Sequence, residues 1–209
     1  MRNAKGINLY SLLKSASLIF LLFIICGSDP VLADEVVSPR DSLKIPTKKM
    51  YEQILSLAKD GDFEKISQLV DEMAPVLKYL NEKYQYNAFE ALKRGCDQKN
   101  ADLVRTAVQA AVYRDVLALL DEAETHSGDS LRVAQTDIRM ARLTYEIVAP
   151  DVRKSDLVRD ERIKKYFVDA YRMTTSNSPY SDAGQSDNER LSAVLDNISL
   201  EIKEATPPN

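Results

Sequence analysis

The chain has 209 residues, which suits one ordinary domain and is too short for two. Its 28 basic and 32 acidic residues give a formal net charge of −4, and this mild acidity argues against a nucleic-acid partner. One histidine and two cysteines exclude most metal and catalytic centres that are built from several of these residues.

The N-terminal 33 residues have the pattern of a secretory signal peptide. Basic residues at the start are followed by an apolar run over residues 18–25 and by a small residue, Ala33, where cleavage is expected. The uncharged stretch 15–28 is short for a membrane span, although an uncleaved anchor is the alternative. We therefore expect a periplasmic or secreted protein whose mature chain, from Asp34, has no membrane span.

Residues 34–45 have little apolar content and predict a flexible tether, and helical periodicity begins at Pro46. In the first helix apolar residues share one face, and Gly61 is a candidate C-cap. Asp62 can cap the start of the next helix. Pro75 interrupts that helix, but the helical spacing of apolar residues continues after it. This pattern predicts a kinked helix rather than the end of the helix.

A short helix is expected to end at Gly95, and Asn100 is the predicted cap of a long helix that stops near residues 127–128. Asp129 or Ser130 opens the next helix, which runs to residues 149–150, and a further helix begins near Ser155. After a polar loop over 174–185, a capping box at residues 186–189 opens the last helix.

No segment shows the alternation that is typical of a strand, so the sequence predicts an all-α fold. We expect a single up-down bundle of about six helices over residues 46–206, with a tail at 207–209. Residues 51–58 are similar to 113–120, and 71–75 to 145–150, which indicates two repeated helical hairpins. Chance similarity between amphipathic helices is the alternative.

The presence of a single histidine, His126, excludes several classes of catalytic and metal site. A Ser-His-Asp or Cys-His set would have to use it, and a di-iron bundle would need more than one histidine. Its position at a predicted helix end is typical of a solvent-exposed residue. Phosphate-binding glycine motifs are also missing from the sequence, so we predict no enzyme activity.

One acidic segment is the candidate metal site. Glu122 and His126 are four residues apart and share a helical face, so they could offer oxygen and nitrogen ligands to iron or another divalent metal. A solvated helix end is the alternative, and no other cofactor is predicted. The candidate ligands are Asp121, Glu122, Glu124, His126 and Asp129.

Three other features each leave two interpretations open. The basic stretch 153–165 could be a docking face for an acidic partner, or a solvated face held by pairs such as Asp160 with Lys164. Cys96, the one cysteine of the mature chain, is a half-buried bystander or pairs with another chain. The tyrosines could form a binding surface or the rim of the core; they are Tyr79, Tyr84, Tyr86, Tyr113, Tyr145, Tyr166 and Tyr171.

The segment 59–63, the helix with Pro75, and the pattern Ala141, Tyr145 and 149–150 resemble the exported helical modules of bacterial iron uptake. These are the imelysin-like and iron-permease-associated proteins, and the resemblance covers residues 51–173. It implies a helical bundle and iron handling. The H-x-x-E and R-E-x-x-E motifs of these groups are missing from the sequence, so no functional residue is carried over.

The sequence therefore favours an exported, non-enzymatic binding or accessory protein of the bacterial cell envelope, with another envelope protein as its partner. The alternative is a periplasmic carrier of a metal such as iron or of a small ligand.

Overall fold

The structure is a computed structural model that describes residues 38–43, 45–175 and 185–206, with side chains from 188 onward in the last range. In these ranges the chain is all-helical, as predicted, without a strand. A 3₁₀ turn at Pro39–Ser42 precedes the α-helices. Nine α-helices are described: α1 Thr47–Asp60, α2 Phe63–Glu72, α3 Ala74–Tyr84, α4 Ala88–Asp97, α5 Ala101–Ser127, α6 Leu131–Tyr145, α7 Ala149–Ser155, α8 Leu157–Met173 and α9 Gln185–Ala205.

Helix α5 is the centre of the bundle. It has 27 residues, or about 40 Å of helix, and it contacts α1, α3, α4, α6 and α9. Every residue from 111 to 120 is buried, including the charged Arg114 and Asp115. A helical segment that is buried on all sides needs apolar residues all round, and residues 111–120 are apolar or aromatic apart from these two. Their burial requires compensation from elsewhere in the chain.

The predicted helix boundaries between α1 and α2 are confirmed. Gly61 ends α1 in the left-handed conformation, with φ of 74°, which glycine adopts without strain. The Asp62 side chain accepts a hydrogen bond from the Lys65 backbone N–H at 3.2 Å and so caps α2. Asn100 and Ser130 cap α5 and α6 in the same way.

Two prolines lie in the first turns of helices, although Pro75 was predicted to kink a helix and Pro150 to lie at the end of one, and the two extra helix starts raise the helix count above the predicted six. The chain breaks at Met73, and Pro75 lies in the first turn of α3. It breaks again at Val148, and Pro150 lies in the first turn of α7, a helix that the sequence did not predict. Proline fits the first turn because the N–H that it lacks has no partner there. The repeated hairpins stay a prediction.

Gly95 does not end its helix, contrary to the prediction. Helix α4 continues to Asp97, and Gly95 is buried inside it. A Cβ atom at this position would lie 2.8 Å from Val104 Cγ2 and 3.0 Å from the Val104 nitrogen. Glycine is therefore needed for the close approach of α4 to α5. The residues around Gly95 do not predict this contact, because Val104 belongs to the next helix.

Residues 39–43, which belong to the predicted tether, contact the bundle. The 3₁₀ turn contacts α3, and Leu43 packs against a small apolar cluster of Val76, Leu80 and Ala118. One compact unit of the chain begins at Pro39, and the predicted start of the domain at Pro46 stays a prediction.

Several predictions fall on parts of the chain outside the described residues. These are the signal peptide 1–33, the first part of the tether, the capping hydroxyl of Ser186 and the tail 207–209. Of the helices in the described ranges, none has an apolar stretch that would reach across a membrane.

Candidate functional site

The residues that were predicted to bind metal have different protein partners. Asp121 accepts a hydrogen bond from the Tyr84 hydroxyl at 3.0 Å and pairs with Lys83 at 2.7 Å. Glu124 accepts a hydrogen bond from Ser192 of α9. These carboxylates therefore tie α5 to its neighbouring helices α3 and α9.

Glu122 and His126 share one face of α5, as their spacing predicted. Glu122 pairs with Arg40 of the 3₁₀ turn at 2.5 Å. His126 Nδ1 lies 2.7 Å from the carboxylate of Asp137 on α6. His126 is half-buried in this contact rather than fully exposed at a helix end. The exposed side chain of Asp129, by contrast, contacts no charged group of the described residues.

Within the described ranges, no three His, Cys, Asp or Glu side chains come together in an arrangement that could hold a metal ion. Asp121, Glu124 and the pair Glu122–His126 contact different neighbours because consecutive positions of a helix are rotated by 100°. Asp129 lies after the end of α5. Metal binding by this segment stays a prediction.

A buried polar cluster lies beneath the 3₁₀ turn, and we call it the Arg40 pocket: Arg40, Tyr51, Asp115, Glu122 and Asp137. One terminal nitrogen of the Arg40 guanidinium donates to the Asp115 carboxylate, and the other terminal nitrogen donates to Glu122 at 2.5 Å. Asp115 is fully buried, and the side chains of Arg40 and Glu122 are 12% and 21% exposed. Arg40 thus compensates the charge that α5 carries into the core.

Burial shifts the pKa of most members of the pocket. It raises the pKa of Glu122, against the opposing charge of Arg40, and that of Asp137, against the hydrogen bond with His126. Burial would lower the pKa of Arg40, but the Asp115 and Glu122 charges outweigh it and raise that pKa. The guanidinium is therefore always charged, and it faces more than one carboxylate.

The basic stretch 153–165 is largely neutralised inside the molecule. Arg159 and Arg162 pair with Glu201 of α9 at 3.2 and 2.6 Å. Lys164 pairs with the buried Asp160 at 2.6 Å, as the spacing of four predicted. The Glu201 contacts hold α8 against α9, and the Lys164 contact compensates a buried charge within α8, which favours the structural interpretation of this stretch over a docking face.

A second surface lies between α6 and α8, and we call it the α6–α8 groove. It has a volume of about 360 Å³ and an apolar floor formed by Ile138, Leu143 and Phe167. Its rim carries charged and aromatic side chains, which are Arg139, Arg142, Glu146 and Tyr171. This combination of an apolar floor and a few polar groups is typical of binding sites.

The groove carries positive charge that the described residues do not neutralise. Arg139 and Arg142 are exposed, and neither guanidinium forms an ion pair or a hydrogen bond with another residue in the described ranges. Glu146, on the same rim, pairs with Lys48 at 3.3 Å instead. Tyr171 is 40% exposed beside them. An anionic group could therefore contact both arginines without displacing an existing partner.

The sequence analysis missed this groove because it favoured the denser basic stretch that follows Pro150. The sequence of α6 contains a weak indication of an unpaired basic surface. Arg139 has no acidic residue three or four positions away on its helix, so it has no local partner. Arg142 shares its face. What the sequence could not indicate was the apolar floor, since Phe167 comes from another helix.

Three of the tyrosines, and Cys96, fit their structural interpretations. Tyr113 and Tyr145 are buried in the core, and Tyr86 lies under the guanidinium of Arg114 at 4.0 Å from the ring centre. Cys96 is buried, and burial raises the pKa of its thiol. A buried thiol with a raised pKa is unreactive, which disfavours pairing with another chain.

No protein-family model, curated protein or solved structure matches the chain. The resemblance to imelysin-like proteins therefore stays a prediction, and the function is argued from the surface of the bundle.

Proposed function

We propose that the protein is an exported, non-enzymatic binding protein of the cell envelope, and that its α6–α8 groove binds an acidic, amphipathic segment of another envelope protein. The observation that carries the proposal is the pair of exposed arginines without partners, Arg139 and Arg142, above an apolar floor.

The chemistry of the groove selects its occupant. Two guanidinium groups three residues apart on one helix favour two carboxylates, which they can bind in a bidentate manner. The floor of Ile138 and Phe167 favours an apolar side chain next to those carboxylates. Tyr171 adds an aromatic edge, and tyrosine and arginine are the residues that dominate binding energy at interfaces.

A photoreactive amino acid in place of Tyr171 tests the proposal in the cells that make the protein. We expect one discrete crosslinked protein, whose crosslinked peptide is acidic. Arg139→Glu/Arg142→Glu should remove most of the crosslink, because the new carboxylates repel the acidic segment.

The matched control is Lys78→Glu/Arg94→Glu, which changes the net charge equally at two exposed basic residues outside the groove. This variant should crosslink as the original chain does. A crosslink that survives the groove variant, or that the control removes equally, would contradict the proposal.

The alternative, a carrier of iron or of a small ligand, is separated by native mass spectrometry of the protein purified from its own envelope. Extra mass on the folded chain that a chelator or Glu122→Ala removes would support a metal carrier. The bare chain, together with a groove-dependent crosslink, would support the binding protein.

A further inference from the structure

The Arg40 pocket has the composition of a ligand site that the chain fills with its own side chain. Charged and polar groups reach it from the 3₁₀ turn, α1, α5 and α6. They are the five residues of the pocket, Arg40, Tyr51, Asp115, Glu122 and Asp137, together with Asp41 and His126, which interact electrostatically with Asp137. Three carboxyl groups, of Asp115, Glu122 and Asp137, face one permanent cation, Arg40, so the pocket has more acidic groups than permanent cations.

The spacing of the carboxylates suits a guanidinium. Asp115 and Glu122 are seven residues apart, which places them on the same face of α5 and roughly 10 Å apart along its axis. One planar fork reaches both, since its two terminal nitrogens donate to different carboxylates. A metal ion needs oxygens that converge on one point, and the described residues offer no such group here.

The pocket also has hydrogen-bonding capacity that Arg40 does not use. Asp115 Oδ2 and the Tyr51 hydroxyl are buried and have no hydrogen-bond partner among the described residues. Both residues are 0% exposed, and the hydroxyl interacts electrostatically with Arg40 and Asp115. A guanidinium that is not tethered to the turn can rotate to meet both carboxylate oxygens of Asp115, whereas Arg40 reaches Oδ1 and the Asp115 backbone carbonyl but leaves Oδ2 without a donor.

Arg40, which occupies the pocket in this structure, lies on a short 3₁₀ turn. The 3₁₀ turn has four residues, none of them buried, and Leu43 closes it with one backbone hydrogen bond to Arg40 at 3.1 Å. The two ion pairs of Arg40 are its main attachment to the bundle, so a cation that replaces Arg40 must satisfy the same two carboxylates. We propose that the pocket is a binding site for the guanidinium of an arginine side chain, open to a guanidinium from outside the chain once Arg40 is withdrawn.

Chemical rescue tests this assignment, with the guanidinium ion as the probe. The full mature chain with Arg40→Ala is heated with guanidinium chloride up to a concentration on the order of 10 mM, far below the molar denaturing range. We expect a saturable rise in its Tm, because the ion binds the folded state only. The original chain, whose pocket is filled, should show no rise, nor should Arg40→Ala/Asp115→Asn.

If the Arg40→Ala chain is unfolded in buffer, the readout becomes the helical circular dichroism signal, which guanidinium should restore. Sodium, ammonium and calcium chlorides at equal ionic strength are the comparison salts. Failure of guanidinium to raise the Tm or to restore the helical signal would overturn the proposal. An equal effect of ammonium or calcium would also overturn it, because it would show an unselective acidic site.

Discussion

At the scale of single residues, the most informative contact is between two buried polar groups. The Tyr145 hydroxyl donates to Asp160 Oδ1 at 2.9 Å, and both residues are within 1% of complete burial. Lys164 and Arg153 contact the other oxygen of the same carboxylate. The tyrosine thus compensates one side of a charge that the core encloses.

Tyr145→Phe should lower the free energy of unfolding by about 1–3 kcal/mol, because it leaves Asp160 Oδ1 buried without a donor. Urea denaturation measures the change. Tyr166→Phe on α8 is the control, since that half-buried hydroxyl has no hydrogen bond in the described residues, and it should be near neutral. Equal losses in the two variants would contradict this account of Asp160.

Gly95→Ala should destabilise the protein by about 1–3 kcal/mol although alanine favours a helix, since the new methyl group meets Val104 at 2.8 Å. Gly128→Ala is the matched control: its Cβ would meet no atom within 4 Å, and its φ of −73° suits alanine. We expect the control to be neutral or slightly stabilising in the same denaturation experiment. A stabilised Gly95→Ala chain would show that α4 does not need this close approach.

At the scale of elements, ion pairs attach the last helix to the bundle. Glu201 of α9 contacts Arg159 and Arg162 of α8, and its side chain is 14% exposed. The hydrogen bond from Arg162 lowers the pKa of Glu201. A carboxyl with a lowered pKa in the folded state stabilises the protein above its unfolded pKa, and this contribution is lost as the pH falls through the folded pKa.

Glu201→Gln should therefore lower the Tm at pH 7, and the difference from the original chain should shrink as the pH falls below the usual carboxyl range. Thermal unfolding followed from pH 7 to acid measures it. Glu204→Gln, one turn further along at a 52% exposed side chain, should have a smaller effect. A difference that grows towards acid would mean that Glu201 does not act through its charge.

At the scale of the whole molecule, the residue at which the folded unit begins decides whether the buried charge of Asp115 has its partner, Arg40. A chain that begins at Pro39 retains the Arg40 contacts with Asp115 and Glu122, whereas one that begins at Leu43 loses them. Removing one partner of a buried ion pair is costly because the other charge remains in the core.

The chain that begins at Leu43 should be less stable than the one that begins at Pro39 by about 3–5 kcal/mol in urea denaturation. Arg40→Ala in the longer chain should account for most of this loss. Equal midpoints for the two truncated chains would show that the bundle begins after the 3₁₀ turn, as the predicted tether implied.

The sequence by itself determined what depends on local spacing. The periodicity of apolar residues predicted an all-helical fold, and Gly61, Asp62, Asn100 and the pair Asp160–Lys164 were found where capping and spacing rules placed them. These features depend on neighbours within four residues, so their physical cause is contained in a short stretch of chain.

Only the tertiary structure decided the features that join distant segments. Arg40 and Asp115 are 75 residues apart, and the floor of the α6–α8 groove combines Ile138 with Phe167 from another helix. Gly95 was mistaken for a helix end because its close neighbour, Val104, belongs to the next helix. Burial and charge compensation depend on which helices meet, and helices of similar amphipathicity do not specify their neighbours through local pattern alone.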